Sequence, residues 1–367
     1  TQHSGPGKAN QYFLRGFNLD HGSDFSTYFD GMPVNLRTHA HAQGYMDLNF
    51  IIPEIIERVD FQKGPYFAET GDFSLAGSNS MKTYDTLEEG FTELTLGSRD
   101  EIRFVTANSF DFREGMLLYA LEHQQTNGFY DLEQDVRKLN GFLKYTGDIR
   151  GVPSRVSFSA YDSEWISTNQ VPLRAVKTGL IDRFGYIDPD LGGKSHRFSL
   201  TGNFALTENW ALNLYASSYY MSLINNPTYL LNDPVNGDEF EQEDRRQLFG
   251  GALRNEKEIK LFGIPVKRGI GTDIRYDDVS ELNLFNTLSR RRIGSIREDE
   301  ANEFSIGAFG ELQFQVTDAF RTTLGIRYDY YDSKIVALRP QNSGKDDDSL
   351  WQPKLGLAYR VNENMEL

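Results

Sequence analysis

Two histidines separated by one residue are the side chains in this sequence best suited to chemistry. His39 and His41 lie in the segment NLRTHAHAQGY at 35–45, and in an extended backbone their imidazoles point to the same side. Neutral imidazole is the commonest metal ligand in proteins, so the pair could bind copper, zinc, nickel or the iron of a complex. A third histidine, His21, precedes a similar polar stretch. The alternative is that these histidines form hydrogen bonds within a polar loop or to an organic ligand.

Other kinds of chemistry find no support in the sequence. The 367 residues include no cysteine, which removes disulfides, thiolate catalysis and cysteine-based zinc sites. The chain has no HExxH, GxSxG, P-loop or dinucleotide-binding pattern in the context that each requires. Its formal charge of −15 disfavours nucleic acid, whose phosphates demand clustered lysine and arginine. We therefore expect neither an enzyme nor a nucleic-acid-binding protein, and no cofactor.

The elements that would position the histidines are strands with a strict two-residue period. In 303–316 the even positions are apolar and the odd positions mostly polar, and the pattern resumes in 320–332 and recurs upstream in 197–206. At about 3.3 Å per residue such strands are long enough to cross a tilted bilayer, whereas strands of soluble proteins are usually about half as long. A polar overall composition does not oppose this reading, because a transmembrane barrel is apolar only on alternate residues.

The order of strands and connections also favours a membrane barrel. No run of about twenty apolar residues exists, which excludes a transmembrane helix but not a barrel. We predict twelve strands, at 90–97, 101–111, 116–123, 136–147, 154–163, 196–206, 210–221, 245–256, 266–276, 303–316, 320–332 and 351–361. Long connections are expected at 124–135, 164–195, 222–244, 277–302 and 333–350, alternating with short ones. Outer-membrane barrels have short periplasmic turns and long extracellular loops, so the long set is expected outside.

Four short segments near the amino end follow one another in a distinctive order. They are QYFLRGF at 11–17, STYFDGMPVN at 26–35, IPEIIERVDFQKGP at 52–65 and ETGDFSLAGSNSMKT at 69–83. In this order and at this spacing they resemble the plug domain of TonB-dependent outer-membrane receptors. The resemblance implies a mostly β fold, a transmembrane antiparallel β-barrel with an N-terminal α/β plug inside its lumen. It assigns 1–85 to an N-terminally truncated plug and 86–367 to the first part of a barrel of about 22 strands.

The resemblance also implies a function. Receptors of this family import scarce solutes across the outer membrane of Gram-negative bacteria, so an iron–siderophore or another metal complex is the favoured ligand. The alternatives are a receptor of the same architecture for a saccharide or a cobalamin-like compound, and a passive porin or adhesin barrel. The implied partners are the energy-transducing TonB–ExbB–ExbD complex, acting on a segment outside this chain, a small-molecule or metal-complex ligand, and outer-membrane lipid.

The candidate ligand site follows from the resemblance as well. In this family the plug apex and the extracellular loops bind the ligand, and the apex here would include 18–25 and 35–45. The candidate ligand-binding residues are His21, Arg37, His39, His41 and Gln43. Among them, His39 and His41 are the candidate metal ligands.

Contacts between plug and barrel form the last expectation. Arg15 matches the plug arginine of the family, which typically pairs with a barrel glutamate, and Glu311 and Glu93 are the candidate partners. Lys63 stands where many members have a second arginine, and it offers a point charge rather than a bidentate fork. The alternative is that Arg15 and Lys63 are solvated charges in the lumen.

Overall fold

A small inner sheet lies within the curve of a much larger one in this computed structural model, which describes residues 6–367. We call residues 6–83 the inner unit and the larger sheet the wall. Residues 1–10, which are turn-rich and are expected to form a loop, fall partly outside the described residues, since 1–5 are not among them. Among residues 6–367, none of the helices combines the length and the apolar character that crossing a membrane requires.

The inner unit consists of a hairpin and a four-stranded mixed sheet. Its strands are β1 (Phe13–Leu14), β2 (Phe17–Asn18), β3 (Phe25–Phe29), β4 (Met32–Pro33), β5 (Ile56–Lys63) and β6 (Gly77–Thr83). The sheet has the order β4-β3-β6-β5, with β3 and β6 parallel. The helical segment in residues 6–83 is a single 3-10 turn, Pro53–Ile55.

Two tight turns explain motifs that the sequence displays. Asp30 and Gly31 join β3 to β4 with φ values of 45° and 89°, and Arg15 and Gly16 join β1 to β2 with 53° and 82°. Two successive residues at positive φ characterise the hairpin turn whose twist matches that of the flanking strands. The Arg-Gly and Asp-Gly pairs are therefore turn residues, and Arg15 projects from the tip of its hairpin.

The wall is a thirteen-stranded sheet in which every strand pairs with its neighbours in the chain. Its strands are β7 (Phe91–Leu96), β8 (Ile102–Phe112), β9 (Gly115–Thr126), β10 (Val136–Ile149), β11 (Val152–Ile166), β12 (Gly192–Ala205), β13 (Trp210–Asn225), β14 (Phe240–Leu261), β15 (Ile264–Leu288), β16 (Arg291–Gln315), β17 (Phe320–Ala337), β18 (Gly344–Asn362) and β19 (Met365–Glu366). One helix, α1 (Leu173–Lys177), lies between β11 and β12. All pairs in the wall are antiparallel, and β7 and β19 form its two edges.

The two faces of the wall differ as the alternating pattern predicts. On β16, Ile306 is exposed on the outer face while Ser305 is buried against the inner unit, and on β17 Leu324 is exposed while Arg327 is buried. The mostly β architecture and all twelve predicted strands are confirmed. A thirteenth short strand, β19, was not predicted.

Two of the predicted long connections are mostly strand. β15 continues to Leu288 and β16 begins at Arg291, so the loop expected at 277–302 is reduced to Ser289 and Arg290, both at positive φ. The loop expected at 333–350 is likewise reduced to 338–343. Outside the apolar band the two-residue pattern has no hydrophobic face to mark it, yet backbone pairing continues. The alternating pattern therefore does not indicate these strand extensions.

Apolar contacts fasten the inner unit to one flank of the wall. Phe29 lies edge-on to Phe50 and to Phe142 of β10, with ring centroids 5.3 and 6.1 Å apart, and Leu118 of β9 joins the same cluster. A second cluster extends along β10 to β13, formed by Ala9, Leu36, Tyr45, Val136, Trp165, Tyr219, Met221 and Leu223. The inner face of this flank is thus partly apolar, unlike the mostly polar face that the alternating pattern predicts for 303–316.

Candidate functional site

The segment at 35–45 forms a loop of the inner unit that lies against β13 and β14. Asn35, which is buried, fixes its base: its side-chain oxygen accepts from the Thr27 amide, and its nitrogen donates to the carbonyls of Gly22 and Gly44. A backbone hydrogen bond of 2.9 Å from Leu36 to Tyr45 closes the loop. The histidines are therefore held in a constrained loop rather than in an extended strand.

Both ring nitrogens of His39 are occupied inside the protein. Nδ1 accepts from the His41 amide at 3.1 Å, Nε2 lies 3.2 Å from Tyr219 Oη, and the ring stacks on Tyr45 with centroids 4.1 Å apart. Burial lowers the pKa of His39 to about 3, so the ring is neutral near pH 7. Since Nδ1 accepts, Nε2 carries the hydrogen and donates to Tyr219. A metal bound at His39 would have to displace one of these contacts.

The structure pairs His41 with His21 rather than with His39. The two Nε2 atoms are 3.1 Å apart. His41 Nδ1 lies 2.8 Å from Gln242 Oε1, and the Gln242 nitrogen donates to the Ala40 carbonyl, which fixes the amide orientation. His21 Nδ1 lies 3.2 Å from the carbonyl oxygen of Ala9. Because both Nδ1 atoms face acceptors, each carries a hydrogen, so in a neutral ring the Nε2 atom is an acceptor.

When both rings are neutral, the two Nε2 atoms therefore approach each other as two acceptors. Burial lowers the pKa of His41 to about 4, so that ring is neutral near pH 7. The ring centroids are 4.7 Å apart, little more than the 3.1 Å between the nitrogens, so the rings meet at an angle rather than end to end. The Asp20 carboxylate, 3.9 Å from His21 Nε2, favours a positive charge there.

Lys8 is the nearby cation that opposes a further positive charge, and it lowers the pKa of His41. Its own pKa is lowered to about 8 by burial, against the attraction of Asp20. Lys8 therefore gives up its proton more readily than a surface lysine does, and the opposition weakens at mildly alkaline pH.

The other two apex candidates point in different directions. Arg37 donates to Asp72 at 2.8 Å and to Ser305 of β16 at 2.7 Å, and it lies 5.3 Å from the ring centroid of Tyr331. Burial would raise the pKa of Asp72, but Arg37 and the hydrogen bond from Tyr331 outweigh it and hold that pKa below its usual range. Gln43 is exposed. In this conformation Arg37 therefore joins the inner unit to the wall, and Gln43 is free to meet a ligand.

A buried ionic network on β14 and β15 holds the histidine loop in place. Arg246, fully buried, donates to the Thr38 carbonyl and to both oxygens of Asp244, at 2.8 and 2.7 Å. Asp244 in turn accepts from the Ala40 amide at 3.1 Å. Arg275 donates to the Asn35 carbonyl at 2.9 Å. The wall thus forms hydrogen bonds to the loop backbone at three points, the Asn35 carbonyl, the Thr38 carbonyl and the Ala40 amide.

Sequence reasoning missed this network, although a signal for it exists. Arginine and aspartate recur two residues apart on single strands, as Asp244 with Arg246, Arg275 with Asp277, and Arg327 with Asp329. Residues two apart on a strand share a face. Such pairs inside an apolar alternating segment therefore mark positions where the inner face carries buried charge.

The predicted Arg15 contacts are not formed. Glu311 does face the inner unit, but it accepts from the Ala68 amide at 2.8 Å. Arg15 is exposed at its hairpin tip and Lys63 is exposed at the end of β5, and neither forms an ion pair within residues 6–367. Glu93 is exposed on β7 and accepts from Thr95 at 3.2 Å. The hairpin turn directs Arg15 away from both glutamates.

Two family models match the chain. The TonB-dependent receptor plug domain matches residues 1–78, and the model described as TonB dependent receptor-like, beta-barrel matches residues 124–367. The second match alone covers more than half of the chain. A comparison with curated protein sequences gave no match.

Solved structures share the fold at low sequence identity. The unliganded ferric citrate transporter FecA matches with a TM-score of 0.77 and 12% identity over 99% of this chain and 56% of that one. The siderophore receptor PiuA from Acinetobacter baumannii matches with 0.71 and 15%, over 99% and 58%. The copper transporter OprC matches with 0.71 and 17%, over 99% and 56%. The chain therefore spans a little over half the length of these structures, and the likeness concerns the fold alone.

Proposed function

Since the chain belongs to the TonB-dependent receptor family, we propose that it binds a scarce solute and imports it across the outer membrane of a Gram-negative bacterium. Both the family and the fold are those of transport receptors. The inner unit corresponds to the plug and the wall to the barrel. The end of the wall with the longer connections faces outward, as the sequence pattern predicts.

The observation that carries this proposal is the polar fastening of the plug to β14–β17. Arg246 and Arg275 donate to plug carbonyls, Arg327 donates to the Glu69 carbonyl at 3.4 Å, and Glu311 accepts from the Ala68 amide. Each of these hydrogen bonds involves a charged group, so exchanging one for water carries a net cost of about 1.5–3 kcal/mol. Together they keep the plug seated, yet an applied force can release them. A seated but removable plug suits energised import better than passive diffusion through a porin.

Release of the plug requires a partner that applies force to it. We expect the TonB–ExbB–ExbD complex to pull on the plug through a segment outside the described residues. A passive porin or an adhesin would need no such partner, and its plug would have no reason to be releasable. Energy dependence is therefore the property that separates the two functions.

For the ligand we propose a metal complex, and an iron–siderophore is the first to test. The support is that solved structures with this fold include a ferric citrate transporter and a siderophore receptor. His41 is the histidine to test first, because both ring nitrogens of His39 already have protein partners.

Transport assays test the function. Cells that express the receptor should accumulate a radiolabelled iron complex with saturable kinetics, and deletion of TonB should abolish uptake. Uptake that persists without TonB and rises in proportion to external concentration would support the porin instead. Parallel assays with a copper salt, cobalamin and a maltodextrin distinguish the ligand classes.

Variants test the role of the histidines. His41→Ala should reduce both metal binding by the purified receptor and uptake, whereas His123→Ala, at an exposed position on β9, should change neither. If His41→Ala binds and imports like the unaltered receptor, the histidine pair is not part of the ligand site, although the import function itself could stand.

A further inference from the structure

A second cluster of oxygen ligands lies away from the histidines, where three connections of the wall meet. Asp188 and Asp190 belong to the connection between β11 and β12, and Glu239 immediately precedes β14. One carboxylate oxygen from each of the three lies within 4.8 Å of the others, and Glu239 is buried. None of these carboxylates forms an ion pair within residues 6–367, so their mutual repulsion at neutral pH has no counter-charge there.

The nearest arginine does not neutralise them. Arg290, at the tip of the β15–β16 hairpin, donates its guanidinium to the carbonyls of Asp190 at 2.7 Å and Leu191 at 2.9 Å. Its backbone amide donates to Glu239 at 2.9 Å. The hairpin tip thus brings the three connections together through backbone groups, and the carboxylate charges remain.

Two buried side chains beside the cluster have oxygens without hydrogen-bond partners. Asn226 is 5% exposed, and its amide nitrogen donates to Asp188 at 2.8 Å while its oxygen has no partner. Thr287 is 1% exposed and its hydroxyl lies toward the Glu239 carboxylate without forming a hydrogen bond of normal geometry. A buried polar atom left unpaired costs about 1–3 kcal/mol. Two such oxygens next to three carboxylates indicate that a positively charged partner belongs there.

We propose that Asp188, Asp190 and Glu239 bind a calcium ion, with Asn226 and Thr287 supplying further oxygens. Ca²⁺ takes about 6–8 oxygen ligands at about 2.3–2.6 Å, so two ligand atoms of one ion lie at most about 4.6–5.2 Å apart, and the three carboxylate oxygens, all within 4.8 Å of one another, are close enough to share one. The cluster contains no nitrogen or sulfur ligand, which disfavours zinc and copper. Mg²⁺ prefers shorter distances of about 2.0–2.1 Å and keeps its waters.

The ion would join parts of the chain that are far apart in sequence. It would bind the β11–β12 connection to the start of β14, and through Glu239 and Thr287 to the β15–β16 hairpin. All three lie at the end of the wall with the longer connections. Calcium would therefore order the outer rim of the receptor, and sites of this kind outside cells bind Ca²⁺ with dissociation constants of about 10⁻⁴–10⁻³ M.

Calcium binding to the purified receptor tests the proposal. After treatment with EDTA, calorimetric titration with CaCl₂ should show a site in this affinity range and weaker binding of MgCl₂. Asp188→Asn and Glu239→Gln should each abolish that site. Asp131→Asn, which removes an exposed carboxylate from another connection at the same end, should leave it intact.

Thermal unfolding separates loss of the site from loss of the fold. Without calcium, Asp188→Asn and Glu239→Gln relieve repulsion, so both variants should unfold at the same or a higher temperature than the unaltered receptor. Only the unaltered receptor and Asp131→Asn should gain stability when calcium is added. A calcium response that survives in both cluster variants, or no calcium response in the unaltered receptor, would overturn the proposal; equal binding of Mg²⁺ would overturn the choice of calcium.

Discussion

His21 and His41 face each other through their Nε2 atoms at 3.1 Å, while the Nδ1 atom of each ring faces an oxygen that can only accept. When both rings are neutral, this arrangement brings two acceptor nitrogens together, whereas a hydrogen bond needs one acceptor and one N–H group. The Gln242 side chain is what enforces it for His41, because its amide is fixed by the Ala40 carbonyl. The tautomer of His41 is therefore set by Gln242, a residue of the wall.

Replacing Gln242 tests that dependence. In Gln242→Leu, His41 loses the acceptor for its Nδ1 hydrogen, so the ring can move the hydrogen to Nε2 and donate it to His21. The affinity of the purified receptor for Cu²⁺ or Zn²⁺ should fall about 10- to 100-fold, as for other residues that orient a metal ligand. Gln247→Leu, an exposed control on the same strand, should have no effect. Unchanged affinity in Gln242→Leu would show that the glutamine does not set the tautomer.

The buried state of His39 predicts a pH dependence of stability. Its pKa is lowered to about 3 in the folded receptor, against about 6.5 in an unfolded chain. Between these values the unfolded chain binds a proton that the native state does not, so His39 lowers stability as the pH falls from about 6.5 toward 4. The expected slope is about 1.4 kcal/mol per pH unit for one proton.

The variant His39→Asn isolates this contribution. Asparagine can still accept from the His41 amide but cannot be protonated. The unfolding temperature of the variant should therefore fall less steeply between pH 6.5 and 4, measured by calorimetry, than that of the unaltered receptor. Identical pH profiles would mean that His39 is not the titrating group.

Removing Arg246 alone should destabilise the receptor more than removing Arg246 together with the charge of Asp244. Arg246→Met leaves Asp244 as a buried charge without its arginine, and breaking a buried pair in this way costs about 3–5 kcal/mol. The double variant Asp244→Asn, Arg246→Met removes both charges and should recover part of that loss. The measurements are the thermal midpoint and protease sensitivity of the 35–45 loop; a double variant less stable than Arg246→Met would contradict the pairing.

Charge should be tolerated on one face of β16 and not on the other. Ile306 is exposed on the outer face, where an arginine would meet lipid, at a cost of up to about 2–4 kcal/mol. Gln313 lies on the inner face and donates to Glu311 at 2.8 Å. Ile306→Arg should reduce the fraction of receptor that resists SDS at room temperature, and Gln313→Arg should not. The opposite ranking would reverse the assignment of the faces.

The strands were predictable because membrane burial imposes a period on the residues. Each of the twelve predicted strands exists, and the even positions of 303–316 do form the outer face of β16, as Ile306 shows. The ends were not predictable, because β15 and β16 continue to Leu288 and Arg291 through residues that have no lipid to face.

The candidate site was less predictable than the fold. The type of each histidine indicated its chemistry, but the partner of His41 depends on how 18–25 and 35–45 come together, and spacing along the chain favoured His39 instead. Arg15 was expected to meet Glu311, yet it lies in a turn at positive φ that carries it elsewhere. Roles for these residues in ligand binding remain predictions.

Apolar contacts hold the plug on one side, and hydrogen bonds hold it on the other. Phe29 and Phe142 belong to the apolar contact with β8–β13, while Arg246 and Arg275 hold the opposite side to β14 and β15. A reducible crosslink between residues 40 and 244 should therefore stop uptake, and one between 29 and 142 should not. Water competes for the hydrogen bonds but not for the apolar contacts. A steady pull would therefore separate the plug from β14 and β15 alone. The resulting crescent-shaped passage would leave the plug tethered on its other side, ready to reseat after each solute has gone through.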